Sequence, residues 1–254
     1  MNSSSNLFFQ LQLTPGAQGV YLRSLCGADE IGIEDSDTHN LIGLLDSLMH
    51  SGTSGNKIHA AQIVTAERDR ILALLYISIY GEKIASTILC SACGQKFDLD
   101  FSLRELLNHY QPTVSVSDNG KFQLEPGISF RLPNGEDELG IQGLSGEEAE
   151  KQLFERCLLD GNFDTDNEKV QLKMAELAPV LSMEMQAVCP ECSHTQQMQF
   201  DMQSFFLTKL KQERPLLIRE IHHIASRYGW SQHEILNLPR NLRKQYAALI
   251  QSEN

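Results

Sequence analysis

Two short stretches decide the reading: Cys90-Ser91-Ala92-Cys93-Gly94 and Cys189-Pro190-Glu191-Cys192-Ser193. Two residues between cysteines let both sulfurs of a pair converge on one ion while backbone amides point at them. Two such pairs complete a closed four-cysteine site, the usual structural arrangement for zinc. The flanks repeat as well. With Cys90 set against Cys189, Leu99 falls on Met198, Phe101 on Phe200, Leu103 on Met202, and Leu106 and Leu107 on Phe205 and Phe206. Each half therefore reads strand, knuckle, strand, helix. The expectation is one structural zinc on Cys90, Cys93, Cys189 and Cys192. Four thiolates leave no open position for water, so such a metal folds the protein and does not catalyse.

Outward from the knuckles, the pattern predicts an α+β fold. A zinc-ribbon-like core of short antiparallel strands is surrounded by helices and followed by a helical C-terminal arm. Strands are expected over 7–13, 20–25, 84–89, 97–103, 121–124 and 128–132. Helices are expected over 39–49, 66–80, 103–110, 168–177, 201–212 and 215–228, with a further one opened by Pro239. Leu242, Tyr246, Leu249 and Ile250 are read as the inward side of that last helix. Capping boxes are read at Ser145–Glu148 and Ser231–Glu234, a flexible loop over 51–56, and an acidic loop over 160–167. The division expected is an N-terminal strand or arm over 1–19, a body over 20–206 and a helical arm over 207–254, all part of one domain.

Charge limits the function classes. The chain carries 21 Lys and Arg against 33 Asp and Glu, a net of −12, which disfavours a general nucleic-acid binder because phosphate contacts need Lys and Arg. The excess is uneven. Residues 207–254 hold 8 bases and 4 acids, which leaves −16 on the rest. A basic tail on an acidic body suits docking to an acidic partner or to another copy. No apolar run reaches the ~18 residues a membrane span needs. The polar start has no basic run before an apolar stretch and Asn2 follows Met1, so neither a secretory signal nor myristoylation is expected. The expected place is the cytoplasm, where paired cysteines point to metal or redox chemistry before disulfides.

Other motifs fail specific tests. Lys57 after 51–56 lacks P-loop spacing, and His233-Glu234 lacks the second histidine of a metalloprotease helix. Asp160-x-Asn162-x-Asp164-x-Asp166 begins like a calcium loop, but Thr165 and Gln171 stand where Gly and Glu are required. A thioredoxin-like Cys-x-x-Cys opens a helix, whereas strands are expected on both sides here. His194 is a possible substitute ligand. Cys26 and Cys157 are read as small core residues. No nucleophile elbow or dinucleotide fingerprint is present, so no enzyme and no small-molecule substrate are expected.

Several stretches carry a resemblance. Ile218-Arg-Glu-Ile-His222, Tyr228-x-Trp230, Glu234-Ile-Leu-x-Leu-Pro239 and Arg243-x-x-Tyr246 resemble the C-terminal signature of baseplate proteins. These belong to T4-type contractile phage tails and related contractile injection systems, and some are described as hub assembly proteins or chaperones. Leu22-Arg-Ser-Leu-Cys-Gly-Ala-Asp-Glu30 and Glu67-Arg-Asp-Arg-Ile-Leu72 followed by Tyr80-Gly81 are similar to earlier segments of that family. The likeness runs over roughly 20–250. It departs at Ser193, where a glycine is usual, and at the acidic loop. It implies a non-catalytic baseplate component or assembly factor, in the cytoplasm or built into the particle, whose partners are other baseplate or tail-hub proteins. Tyr228, Trp230, Arg240 and Arg243 are the expected partner-binding residues. The rival expectations are a zinc-ribbon nucleic-acid or transcription-associated module and a Cys-x-x-Cys thiol oxidoreductase.

Overall fold

Among the described residues the chain is α+β, with short antiparallel strand pairs and ten α-helices. The computed structural model describes residues 6–50, 58–113 and 120–252. The polar start and the loop read over 51–56 lie outside them. The chain divides into two compact units, each assembled from separated segments. One comprises Met1–Leu11, Ala17–Ala61 and Ser204–Asn254; the other comprises Gln12–Gly16 and Gln62–Gln203. This differs from the division expected from sequence. The arm over 207–254 shares its unit with 17–61, because buried charges on its last helix pair with Glu30.

In the first unit, strands β1 (Leu7–Gln10), β2 (Gly19–Leu22) and β3 (Met49–His50) form an antiparallel sheet in the order β1-β2-β3. Helix α1 (Gly27–Ile31) follows Cys26, which caps it reciprocally with Asp29. Helix α2 (Thr38–Leu48) starts where the Asp37 carboxylate accepts the Asn40 amide, and buries Leu41, Leu44, Leu45 and Leu48 as its spacing predicts. Two helical runs were expected around Pro215, but the structure joins them in one helix, α8 (Met202–Tyr228), with Pro215 inside. Proline removes one hydrogen bond of the helical ladder. Pro215 itself lies on the exposed side of the helix. Helices α9 (Gln232–Leu236) and α10 (Arg240–Ser252) complete the unit. The Ser231–Glu234 capping box forms as read. Ile224, Ile235, Ala247 and Ile250 make a local core, with Trp230 and Tyr246 packed against it. Leu249, read as inward, is exposed, and the buried face of α10 carries Arg240 and Arg243 instead.

The second unit is built on helix α3 (Thr65–Tyr80), buried on most sides and stopped by Gly81 at φ 86°. Its first turns hold three consecutive buried ionisable residues. The Glu67 carboxylate accepts the amides of Gln12 and Leu13 and the Thr14 hydroxyl. Arg68 pairs with Glu138 at 2.6 Å, and Asp69 accepts the Leu181 amide at 2.9 Å. Strands β4 (Lys83–Leu89) and β5 (Lys96–Ser102) form one hairpin, followed by α4 (Leu103–His109). Strands β6 (Lys121–Glu125), β7 (Ile128–Arg131) and β8 (Leu158–Asp160) form a sheet in that order, with α5 (Gly135–Gly140) and α6 (Gly146–Cys157) between the last two. Ser145 precedes α6, but its side chain makes no cap hydrogen bond, so the box read there is not formed. Helix α7 (Phe163–Leu177) begins well before 168. Asn162 caps it by accepting the Asp164 amide, and the acids of its first turn favour the helix dipole. Much of the expected acidic loop is therefore helix. Strands β9 (Ser182–Val188) and β10 (Thr195–Asp201) form the last hairpin.

Candidate metal centre

The two hairpins repeat one another residue by residue. Adding 99 to each number of the β4–β5 register, from Lys83↔Ser102 to Leu89↔Lys96, reproduces the β9–β10 register from Ser182↔Asp201 to Val188↔Thr195. The closing bonds repeat too. Cys90 donates its amide to Gln95 and Cys189 to His194, both at 2.9 Å. Gly94 donates to the Cys90 carbonyl and Ser193 to that of Cys189. This tight turn needs a left-handed residue after the second cysteine. Gly94 supplies it at φ 71°, and Ser193 adopts it at φ 59° although it has a Cβ. The departure from glycine thus leaves the knuckle geometry intact, at a local conformational cost of about 1–2 kcal/mol.

Equivalent side chains from the two hairpins meet. Phe101 and Phe200 pack edge to face with centroids 5.1 Å apart. Ile88, Phe97 and Ala187 form a small core with Cys90 and Cys189, flanked by Leu99 and Met198. Above it the four sulfurs of Cys90, Cys93, Cys189 and Cys192 lie within 4.8 Å of one another. Cys90 Sγ is 3.7 Å from Cys192 Sγ, and Cys93 Sγ is 3.8 Å from Cys189 Sγ. Exchanging the halves turns one pairing into the other, so the cluster has local two-fold symmetry. A tetrahedron of sulfurs about 2.3 Å from a zinc ion has edges of about 3.8 Å. The donor set and its spacing fit such an ion. None of the cysteines is in a disulfide.

The surroundings differ in polarity between the inner and outer ligands. Cys90 and Cys189 are buried, while Cys93 and Cys192 are exposed. The Cys93 amide, aided by that of Ala92, outweighs desolvation and pulls the Cys90 thiol down to about 6. The His194 amide favours the Cys192 thiolate, but desolvation and the neighbouring sulfurs together push that thiol up to about 12. Four thiolates cannot all ionise side by side without a cation, and a bound metal removes that conflict. A polar brace crosses between the knuckles. Gln196 accepts the Ser91 amide at 2.9 Å and donates to the Leu89 carbonyl at 3.1 Å. His194 Nε2 lies 3.1 Å from Ser91 Oγ, outside the sulfur cluster, and so is not a ligand.

Neither cysteine pair opens a helix; each lies between two strands. Cys157 is buried as read, and burial pushes its thiol up to about 12. Cys26 is a helix cap and not a core residue. Asp160, the first position of the calcium-like run, accepts from Ser129 at 2.6 Å and Lys121 at 3.0 Å.

The four expected partner-binding residues divide in two. Arg240 and Arg243 are buried, a correction to their reading as surface charges. Arg240 pairs with Glu30 and Glu213, and Arg243 with Glu30 at 2.8 Å and Glu220 at 2.7 Å. With Ala247 and Ile250 they share the buried face of the helix, at helical spacing. Tyr228 is exposed, and Trp230 is half-buried, 5.3 Å from the Tyr228 ring and 5.1 Å from that of Tyr246. The burial of Glu67, Arg68 and Asp69 is not legible in the sequence, since charged residues early in a helix read first as a solvated turn. No helix among the described residues is long and apolar enough to cross a membrane. No protein-family model matches the chain, and no curated protein or solved structure matches it either.

Proposed function

We propose that Cys90, Cys93, Cys189 and Cys192 hold one structural zinc ion closing a zinc-ribbon-like core, in a non-catalytic component or assembly factor of a contractile-tail baseplate. The observation that carries the metal reading is the sulfur cluster, whose 3.7 and 3.8 Å edges match a four-thiolate site. When bound, zinc supplies cross-linking and charge neutralisation. The chain's own contribution is to present the thiolates on two rigid hairpins and aim amides at them. The baseplate reading rests on the sequence resemblance over roughly 20–250. Its partners are other baseplate or tail-hub proteins, met at the corner of Tyr228 and Trp230, since the arginines once grouped with them are internal.

Two measurements test these readings separately. Metal analysis of protein purified without chelator should give about one zinc per chain, and the Cys189→Ser/Cys192→Ser variant should lose both metal and stability. Metal-free wild type of undiminished stability overturns the zinc reading. Co-expression with tail-hub proteins should give a complex that Trp230→Ala weakens. Failure of every hub protein to co-purify with folded, zinc-loaded chain overturns the baseplate reading alone.

A further inference from the structure

The four sulfurs of the clasp differ in what can reach them. Cys90 and Cys189 are 1 % and 0 % exposed, while Cys93 and Cys192 face solvent. Two close sulfur contacts cross between the knuckles, Cys90 to Cys192 at 3.7 Å and Cys93 to Cys189 at 3.8 Å. Each joins a sulfur open to a dissolved oxidant with a buried one on the opposite hairpin.

The hairpins also meet through contacts that need no ion. Beneath the sulfurs Ile88, Phe97 and Ala187 pack together, and Phe101 meets Phe200. Beside them the Gln196 side chain bonds to Ser91 and Leu89 of the other hairpin. Facing sulfurs therefore stay neighbours when an ion leaves. Within each knuckle the backbone is pinned. Gly94 donates to the Cys90 carbonyl at 3.0 Å, Ser193 donates to that of Cys189 at 2.9 Å, and both donors are left-handed. A bridge inside a knuckle spans four residues of that pinned turn, whereas a crossed bridge draws on side chains of two separate hairpins.

We propose that Cys93 and Cys192 are oxidation sites, and that peroxide converts the clasp into two crossed disulfides, Cys93–Cys189 and Cys90–Cys192. The starting state, four thiolates around one ion, rests on the zinc reading. In each pair the exposed thiolate attacks one peroxide oxygen. The O–O bond breaks, hydroxide leaves, and a sulfenic acid forms. The buried thiolate of the opposite knuckle then attacks that sulfur, the S–O bond breaks, and a second hydroxide leaves. Each pair thus gives up two electrons, which reduce one peroxide to two hydroxides. No thiolate donor then remains for zinc. The tie between segments about 100 residues apart persists, now covalent and reversible by a thiol reductant. The chain keeps its clasp when it loses its metal.

Peptide mapping of the full chain tests this. Zinc-loaded protein is treated with hydrogen peroxide, blocked with iodoacetamide and digested with trypsin. Cleavage after Lys and Arg places one knuckle on residues 84–96 and the other on residues 174–209. The two peptides should run as one linked species that reduction separates. Partial reduction and alkylation should assign its bridges as Cys93–Cys189 and Cys90–Cys192. Zinc should pass to a chromogenic chelator as about two peroxides are consumed per chain. In urea the oxidised, metal-free chain should unfold about tenfold or more slowly than reduced chain stripped by chelator. Bridges within each knuckle, a Cys90–Cys189 bridge or links between chains overturn the proposal. So do sulfinic or sulfonic acids in place of bridges, thiols that resist peroxide, or an oxidised form that unfolds no more slowly. A chain purified without zinc that still forms the crossed bridges overturns the zinc reading alone. Zinc-loaded chain that bridges within its knuckles overturns this proposal alone.

Discussion

At the scale of single residues, burial has inverted what charge alone suggests. Arg243 is fully buried between Glu30 and Glu220. Removing one partner of a buried ionic network strands the others, at about 3–5 kcal/mol. Denaturant unfolding of Arg243→Met should show a loss of that size, whereas an exposed arginine would change stability by less than about 0.5 kcal/mol. Asp69 makes a second case. Burial dominates there and raises its carboxyl to about 7, against the opposing Leu181 amide and Arg68. The folded form then holds a proton that the unfolded form has lost, so stability is greatest below the ordinary carboxylate range. It falls as pH rises from about 4 to 7, by up to about 1.4 kcal/mol per pH unit, and levels above that. Asp69→Asn keeps an acceptor for Leu181 and abolishes ionisation. Its stability should therefore lack this fall, and above pH 7 it should exceed the wild type, as pH-dependent unfolding curves would record.

At the scale of elements, the knuckle turn and the long helix each carry a visible strain. Ser193 holds a left-handed φ of 59° where its counterpart is Gly94. Ser193→Gly should stabilise the second knuckle by about 1 kcal/mol, and a competition titration should show correspondingly tighter zinc binding. Pro215 interrupts the ladder of α8, and Pro215→Ala should raise thermal stability by about 1–3 kcal/mol in unfolding free energy. These elements also show what a sequence exposes. The Cys-x-x-Cys pairs and the 99-residue echo of apolar positions were legible, because a hairpin's alternation and a knuckle's spacing are local. The merger of two helical runs across Pro215 was not, since a proline reads first as the opening of a new helix. The idle Ser145 cap was not legible either, nor was the early start of α7 at Phe163. Equivalent local signals compete there, and tertiary contacts choose between them. The direction of Arg240 and Arg243 depends on Glu30, a residue more than 200 positions away.

At the scale of the whole molecule, the sulfur cluster ties segments about 100 residues apart within one unit. Closing a loop of that length is worth about 5 kcal/mol in the chain-entropy account of cross-links. Chelation should therefore loosen that unit more than removing a surface contact would. Hydrogen exchange measured before and after chelator should show protection lost first in β4, β5, β9 and β10. Unchanged exchange in these strands would count against a metal in the clasp. The other unit carries its own long closure through Glu30, Arg240 and Arg243. That closure has a consequence on the ribosome. At about 5–20 residues per second, Glu30 leaves the peptidyl-transferase centre some 10–40 seconds before Arg240 is made. Throughout that interval Glu30 lacks the two arginines it pairs with, so this unit becomes native only after its last helix has been made.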